Sequence, residues 1–184
     1  MLFRLNIHTN EDVYLDFNLF HALESAHGKK MLKKARIRFC LIMAILAALV
    51  LLVLGGDTFS VVYAVTLLLV TLVYMLLLKK ISIWSIKANI KRLKKIGRLP
   101  FTPVSTLEFY EDKVVEITDL QRTETGYGMI ERICVVKDRC ILVYQSSVQA
   151  FILPVLQVAE QVKPEELIAF LSEKCTNCAN VEYY

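Results

Sequence analysis

The chain lacks the residue groupings that most catalytic sites need. It has three histidines in 184 residues, no phosphate-binding glycine loop, no nucleophile elbow and no clustered acid pair at a defined catalytic spacing. His21 and His27 are six positions apart, so on one helix they would point to nearly opposite sides and would not bind one metal together. The sequence therefore predicts a non-enzymatic protein with no cofactor and no metal.

Cysteines are present but form no informative pattern. The five are odd in number and irregularly spaced, which argues against the disulfide framework of a secreted protein and suits reduced thiols. Cys175 and Cys178 form a single C-x-x-C, which could be a redox pair or half of a zinc site completed by Cys134 and Cys140. With no second C-x-x-C and no nearby histidine, an unpaired tail over residues 175–184 is the simpler interpretation.

Charged residues are missing from two long apolar runs. Residues 37–54 and 59–78 are uncharged apart from Arg38, and as helices each approaches the ~30 Å hydrocarbon core of a bilayer. Residues 55–58 form the whole connection, which predicts an antiparallel transmembrane hairpin. With no ionisable group at depth, the hairpin is expected to anchor the chain in the lipid bilayer rather than to carry a solute.

Basic residues flank this hairpin at both outer ends. Six lie before or at the start of the first run, and Lys79 and Lys80 follow the second, while the connection carries only Asp57. The six are Lys29, Lys30, Lys33, Lys34, Arg36 and Arg38. The positive-inside rule places both termini in the cytoplasm of a multi-pass protein of the cell membrane. The N-terminus shows no apolar core of signal-peptide length.

The segment after the second run, residues 79–99, is strongly basic. Residues 79–98 hold eight Lys or Arg and no acid, and apolar residues from Ile83 to Ile96 recur at helical spacing. This pattern predicts a basic amphipathic helix that lies on anionic headgroups, where each basic residue contributes about 1 kcal/mol. Alternatively, the apolar stripe packs on the protein's own soluble part; nucleic acid fits less well. The predicted membrane-surface residues are Trp84, Lys87, Lys91, Arg92, Lys94, Lys95 and Arg98.

Two further pieces are predicted to be cytosolic. Residues 1–36 predict a short strand and a helix that ends at Gly28. Residues 100–174 contain several short alternating runs, a turn at 111–113 and a final helix over 163–174. Meandering strands closed by one helix predict a small pleckstrin-homology-like β-barrel. The expected fold class is α+β: a two-helix transmembrane hairpin plus this barrel.

Several motifs together resemble a known family. The stretches "EDVYLDFNLFHA", "LEFYEDKVVEIT", "VVKDRCILVYQSSVQAFILPV" and "EELIAFLSE", with the hairpin between the first two, are similar to the YcxB-like family of small bacterial membrane proteins. The resemblance implies a C-terminal domain of unknown function with a pleckstrin-homology-like fold, and it brings no catalytic residue. Lys113 stands where the family usually has glycine, and Val155 where it usually has a basic residue.

Charge separates the soluble part from the membrane part. Residues 99–184 carry seven Lys or Arg and thirteen Asp or Glu, a net charge of −6, which disfavours headgroup capture and favours a protein partner. We expect a membrane-anchored binding or regulatory protein that presents its β domain to that partner. An immunity-type protein that neutralises a toxin and a lipid-headgroup-binding module are the alternatives. Ala44, Ala47 and Ala48 would allow close packing of a homodimer.

Overall fold

Two units make up the chain in the structure, a computed structural model. The residues that the structure describes are 1–53, 55, 57–97, 101–146, 149–175 and 181–184. Asn18–Ile96 form the first unit, the helical unit. Met1–Phe17 and Gly97–Tyr184 together form the second, the β unit. The N-terminal piece that we predicted over residues 1–36 is therefore divided between the two.

Two long helices build the helical unit. They are α2 (Ala26–Val53) and α3 (Thr58–Lys95), and their most apolar windows have mean hydropathies of 2.5 and 2.6. Both are long and apolar enough to cross a membrane. The predicted runs lie within them, except Leu54, which is outside the described residues. The predicted basic helix is not a separate element, because α3 continues without a break to Lys95.

The start of α3 is fixed by a side-chain cap. Asp57 accepts a hydrogen bond from the Ser60 backbone N–H at 2.8 Å, and the Ser60 hydroxyl donates to the Asp57 carbonyl at 2.8 Å. Gly55 has φ +73°, a left-handed conformation that glycine adopts without strain. Together they end one helix and begin the next within four residues, so α2 and α3 are antiparallel neighbours.

Contacts along the hairpin fix which residues of α2 and α3 face each other. The rings of Phe39 and Tyr74 stack with centroids 4.0 Å apart. The part of α2 before Phe39 therefore lies beside the part of α3 after Tyr74. Ala47 is buried, whereas Ala44 and Ala48 are exposed. Of the three alanines that we considered for homodimer packing, one is thus already covered within the chain.

The N-terminal helix ends earlier than we predicted. Helix α1 (Glu11–Leu19) continues as a π-helical turn to Glu24, and the chain bends at Ser25. The Ser25 hydroxyl donates to the His21 carbonyl at 2.7 Å and accepts from the Gly28 N–H at 3.0 Å, so Ser25 caps α2. Gly28 lies inside α2, and the position requires glycine because a Cβ there would collide with backbone oxygens of the preceding turn. The predicted stop at Gly28 is therefore wrong.

The first sheet of the β unit contains the N-terminal strand. Its antiparallel order is β1-β2-β3-β4. The strands are β1 (Phe3–His8), β2 (Val104–Phe109), β3 (Lys113–Ile117) and β4 (Arg122–Gly126). Leu5 pairs with Leu107, and both side chains are buried in the core. Strand β1 thus belongs to the same sheet as strands that follow the helical unit.

The second sheet has the order β7-β6-β5-β8. Its strands are β5 (Arg132–Val136), β6 (Cys140–Tyr144), β7 (Ala150–Pro154) and β8 (Val181–Tyr183). A 3-10 turn over Tyr127–Met129 links the sheets, and helices α4 (Val155–Ala159) and α5 (Pro164–Lys174) follow β7. We predicted the segment after residue 175 as an unpaired tail. The structure instead pairs Val181–Tyr183 with β5 as a parallel strand.

The described strands form two four-stranded sheets rather than the closed barrel that we predicted. The outer edge of β1 is covered by α4 instead of by a strand. Gln161 accepts from the Asn6 N–H at 2.8 Å and donates to the Asn6 carbonyl at 3.0 Å. Gln157 does the same for His8, at 2.8 and 2.9 Å. Since these side-chain amides use the groups that a closing strand would need, the edge is satisfied without a barrel.

Helix α5 closes the core of the β unit. Its apolar face buries Leu167 and Leu171, and Phe170 packs edge-on against the rings of Phe3, Phe109 and Tyr127. This confirms the predicted closing helix, whose proline lies in the first turn and whose acids favour the N-terminal end.

Candidate functional site

The helical unit carries a strongly basic end. Helix α2 has six Lys or Arg in its first half, α3 has seven in its second half, and neither contains Asp or Glu. Because the Phe39–Tyr74 stack sets these halves side by side, the positive charges collect at the end away from the Gly55 turn. Such a cluster of positive charge suits the anionic headgroup region of a bilayer.

Helix α3 presents two distinct faces in this basic end. Ile83, Ile86 and Leu93 are half-buried and Ile90 is only 6% exposed, whereas Ile96, at the end of the apolar stripe, is 57% exposed. Trp84 lies off this stripe and is 73% exposed. Most of the stripe is therefore covered within the chain, while Trp84 and Ile96 are exposed.

The predicted membrane-surface residues lie on the exposed side of α3. Lys87 and Lys91 follow Trp84 by three and seven positions, so these three side chains share one face. Arg92, Lys94 and Lys95 are also exposed on α3. Arg98 lies outside the described residues. An indole beside lysines is the combination found at membrane–water interfaces.

The β unit contains an open groove of about 720 Å³ between α5 and the β5–β8 edge, here called the α5 groove. Apolar side chains line its floor: Val135, Ile141, Val155, Ile168 and Val181. Its rim is polar and mixed in charge, with Lys137, Asp138, Glu165 and Ser172. An apolar floor with a mixed polar rim suits a peptide segment better than a phosphate group.

Strand β8 lies along the edge of this groove. The Tyr184 N–H donates to the Val135 carbonyl at 3.0 Å, and the Lys137 N–H donates to the Tyr184 carbonyl at 3.0 Å. Glu182 points to the opposite face, where it accepts from the Tyr184 hydroxyl at 2.6 Å and lies 3.5 Å from the Cys134 sulfur. The C-terminal segment is thus held by backbone and side chain.

The cysteines of the second sheet are poor nucleophiles. Burial, reinforced by the Glu182 carboxylate, raises the pKa of Cys134 to about 12, and burial raises the pKa of Cys140 to about 11. Both are therefore thiols at neutral pH. Cys175 is buried, and Cys178 lies outside the described residues. Among the residues that the structure describes, no three His, Cys, Asp or Glu are grouped to hold a metal.

The two histidines of the N-terminal segment are closer than the sequence suggested. Their rings stack with centroids 5.9 Å apart. We predicted opposite sides of one continuous helix, which is wrong because the bend at Ser25 turns α2 back toward the preceding turn. Two histidines alone do not make a metal site.

Comparison with protein families identifies part of the β unit. Residues 109–171 match the family model described as "YcxB-like protein". The chain contains a YcxB-like domain. This confirms the resemblance stated from the sequence motifs. No curated protein and no solved structure matches the chain significantly.

The matched residues form only part of the β unit. The match runs from the end of β2 to α5, whereas β1, most of β2 and β8 lie outside it. Lys113 begins β3 and donates to Glu124 at 2.7 Å across the β3–β4 pair. Val155 is the first residue of α4.

A second cavity of about 300 Å³ lies where β2 and β3 face β7. Its polar side chains include Thr9, Thr102, Glu116, Gln121, Gln145 and Gln149. Burial raises the pKa of Glu116. No Lys or Arg occurs among the described residues of this lining, so this cavity of the β unit does not suit an anionic headgroup.

Sequence reasoning missed the α5 groove because its parts are far apart in the chain. Its walls combine β5, α5 and the C-terminal strand, and none of these carries a chemical motif. The only available signal was the β-branched and aromatic composition of "VEYY" at 181–184, which favours a strand.

Proposed function

We propose that this protein is a non-enzymatic, membrane-anchored binding protein that presents its YcxB-like domain to a protein partner in the cytoplasm. The α5 groove is the observation that carries the proposal, since it is open, apolar at its floor and mixed in charge at its rim. The net charge of −6 over residues 99–184 disfavours lipid headgroups as its ligand.

Two features support a two-span anchor with both ends on one side. Helices α2 and α3 have the length and hydropathy of spans. Strand β1 precedes α2, yet it pairs with β2, which follows α3. Because strands on opposite sides of a bilayer cannot pair, an even number of crossings fits this register. The basic end then favours the cytoplasmic side.

The strand order supports a pleckstrin-homology-like fold as a further part of the proposal. A meander of four strands, a meander of three and a C-terminal helix follow one another as β1–β4, β5–β7 and α5. Proteins with such folds bind peptides or headgroups, but that analogy alone does not select a ligand.

A photo-crosslinking amino acid placed at two positions tests the protein-partner proposal. Position 169 lines the α5 groove, whereas Leu156 on α4 is 76% exposed and outside it. In cells that express the full chain, we expect a discrete crosslinked protein from position 169 and none from position 156. The same crosslinked bands from both positions would contradict a partner site in the groove.

The exposed Trp84 favours membrane-surface contact as a second role, for the helical unit. Trp84 is the only tryptophan of the chain, so its fluorescence tests the contact directly. Trp84→Gln supplies the background signal, and Ile96→Gln, an exposed apolar change on the same segment that keeps the indole, is the control. In vesicles that contain phosphatidylserine, we expect Trp84 fluorescence to be blue-shifted and quenched by brominated lipid. Emission typical of water-exposed indole would contradict the contact.

A further inference from the structure

We infer that the α5 groove binds an extended segment of the partner protein as an added strand on β5, and that the chain's own strand β8 occupies this position as an intramolecular competitor. This inference rests on the proposed function, and it names the binding mode, the partner chemistry and the regulation of that site. The partner segment carries apolar or aromatic residues at alternate positions.

The backbone of β5 supplies the first step of the argument. Strand β5 pairs with β6 on one side and with β8 on the other. Without β8, its outer N–H and C=O groups would be unpaired, which is the arrangement that strand addition uses. The present occupant is short: three residues pair with β5, and Tyr184 adds one bond in each direction. A longer segment would satisfy more of this edge.

The side chains of β8 indicate what the site accepts. Val181 and Tyr183 lie at alternate positions and both line the groove, where Val181 packs on the core. The intervening Glu182 faces the other way, toward Cys134. A segment with apolar side chains at the first and third positions and a hydrogen-bond acceptor between them reproduces this pattern.

The groove is not filled by its present occupant. About 720 Å³ remains with β8 in place, and Tyr183 is still 70% exposed. A partner segment that buries larger side chains gains contacts that β8 does not make. These added contacts favour displacement of β8 and oppose the advantage that β8 has from being attached to the same chain.

The test compares the intact full-length chain with a chain that lacks residues 181–184, both in lipid nanodiscs. The probe is a fluorescein-labelled peptide of residues 179–184, ANVEYY, followed by fluorescence anisotropy. We expect the shortened chain to bind the peptide. We expect the intact chain to bind it at least about tenfold more weakly, because an attached competitor acts at millimolar effective concentration. Ala169→Glu in the shortened chain should weaken binding, whereas Leu156→Glu, with the same added charge outside the groove, should not.

A second variant guards against misfolding of the shortened chain. Tyr184→Pro keeps the full length but removes the N–H that donates to Val135. With the other cysteines replaced, we expect faster thiol labelling of Cys134 in this variant, because Glu182 no longer covers it. Equal peptide affinity of intact and shortened chains would overturn the competition. Absence of peptide binding to a shortened chain that melts cooperatively would overturn the strand site, whereas crosslinking at position 169 would still support a partner in the groove.

Discussion

Gln157 of α4 and Gln161, just after α4, give the sharpest prediction about how the β unit holds its N-terminal strand. Gln157→Met combined with Gln161→Met keeps side-chain length and helix preference but removes all four hydrogen bonds to the β1 edge. A net hydrogen bond contributes about 0.5–1.5 kcal/mol. Because the bonds are exposed, water replaces part of each, so the lower value applies and the expected loss is about 2 kcal/mol.

Thermal unfolding and amide exchange together measure this loss. A change of about 2 kcal/mol in a unit of this size lowers the Tm by roughly 8–16 °C. We also expect the backbone amides of Asn6 and His8 to exchange faster with D₂O, because their acceptors are gone. Gln121→Met is the matched control, since Gln121 lies in the exposed β3–β4 turn and contributes its backbone oxygen to that turn.

The result that would refute the reasoning is specific. If the double variant melts with the Gln121 control and the Asn6 and His8 amides exchange at wild-type rates, the glutamines do not hold β1. If the Asn6 and His8 amides exchange faster but the Tm is unchanged, the glutamines do bond to the β1 edge, and water replaces these hydrogen bonds without loss of unfolding free energy.

Three further predictions concern stability. Leu167→Ala should lower the free energy of unfolding by about 2–5 kcal/mol because Leu167 is fully buried, whereas Leu156→Ala at an exposed site should lower it by less than about 0.5 kcal/mol. Urea unfolding of both variants measures the difference, and equal midpoints would contradict the packing of α5. Gly28→Ala, which would normally favour a helix, should instead lower the Tm of the helical unit and speed its proteolysis, because the new Cβ meets backbone oxygens; a raised Tm would count against the bend. Burial raises the pKa of Glu116, so the folded state loses stability as the pH rises above the pKa that Glu116 has in the unfolded chain. Glu116→Gln should therefore raise the Tm at about pH 7 and leave it unchanged near pH 3. An equal shift in Tm at both pH values would contradict this direction.

The sequence predicted the elements whose signal is local. The apolar runs of α2 and α3 are long and almost free of charge, and the strands of the β unit follow short alternating runs. Helix α5 was predictable because Pro164, two acids and a regular apolar face coincide within eleven residues. Local patterns of this kind are set by neighbouring residues, so they can be read without knowing the tertiary structure.

The remaining features depend on contacts between distant residues. Gln157 and Gln161 carry no sign that they bond to the edge of β1, since amide side chains bond to many partners. The stacking of His21 and His27 depends on one bend at Ser25. Strand β8 is only three residues long, too short for alternation to distinguish it from an irregular tail.

The pairing of β1 with β2 has a consequence for biosynthesis. Strand β1 is made first, but its partner is made only after the whole helical unit has left the ribosome. Until then β1 lacks the strand with which it pairs. The first sheet is therefore completed only after β2 has been made, and a fragment that begins after α3 would lack one edge of this sheet. A synthetic peptide of residues 1–17, supplied separately, should restore that edge by fragment complementation.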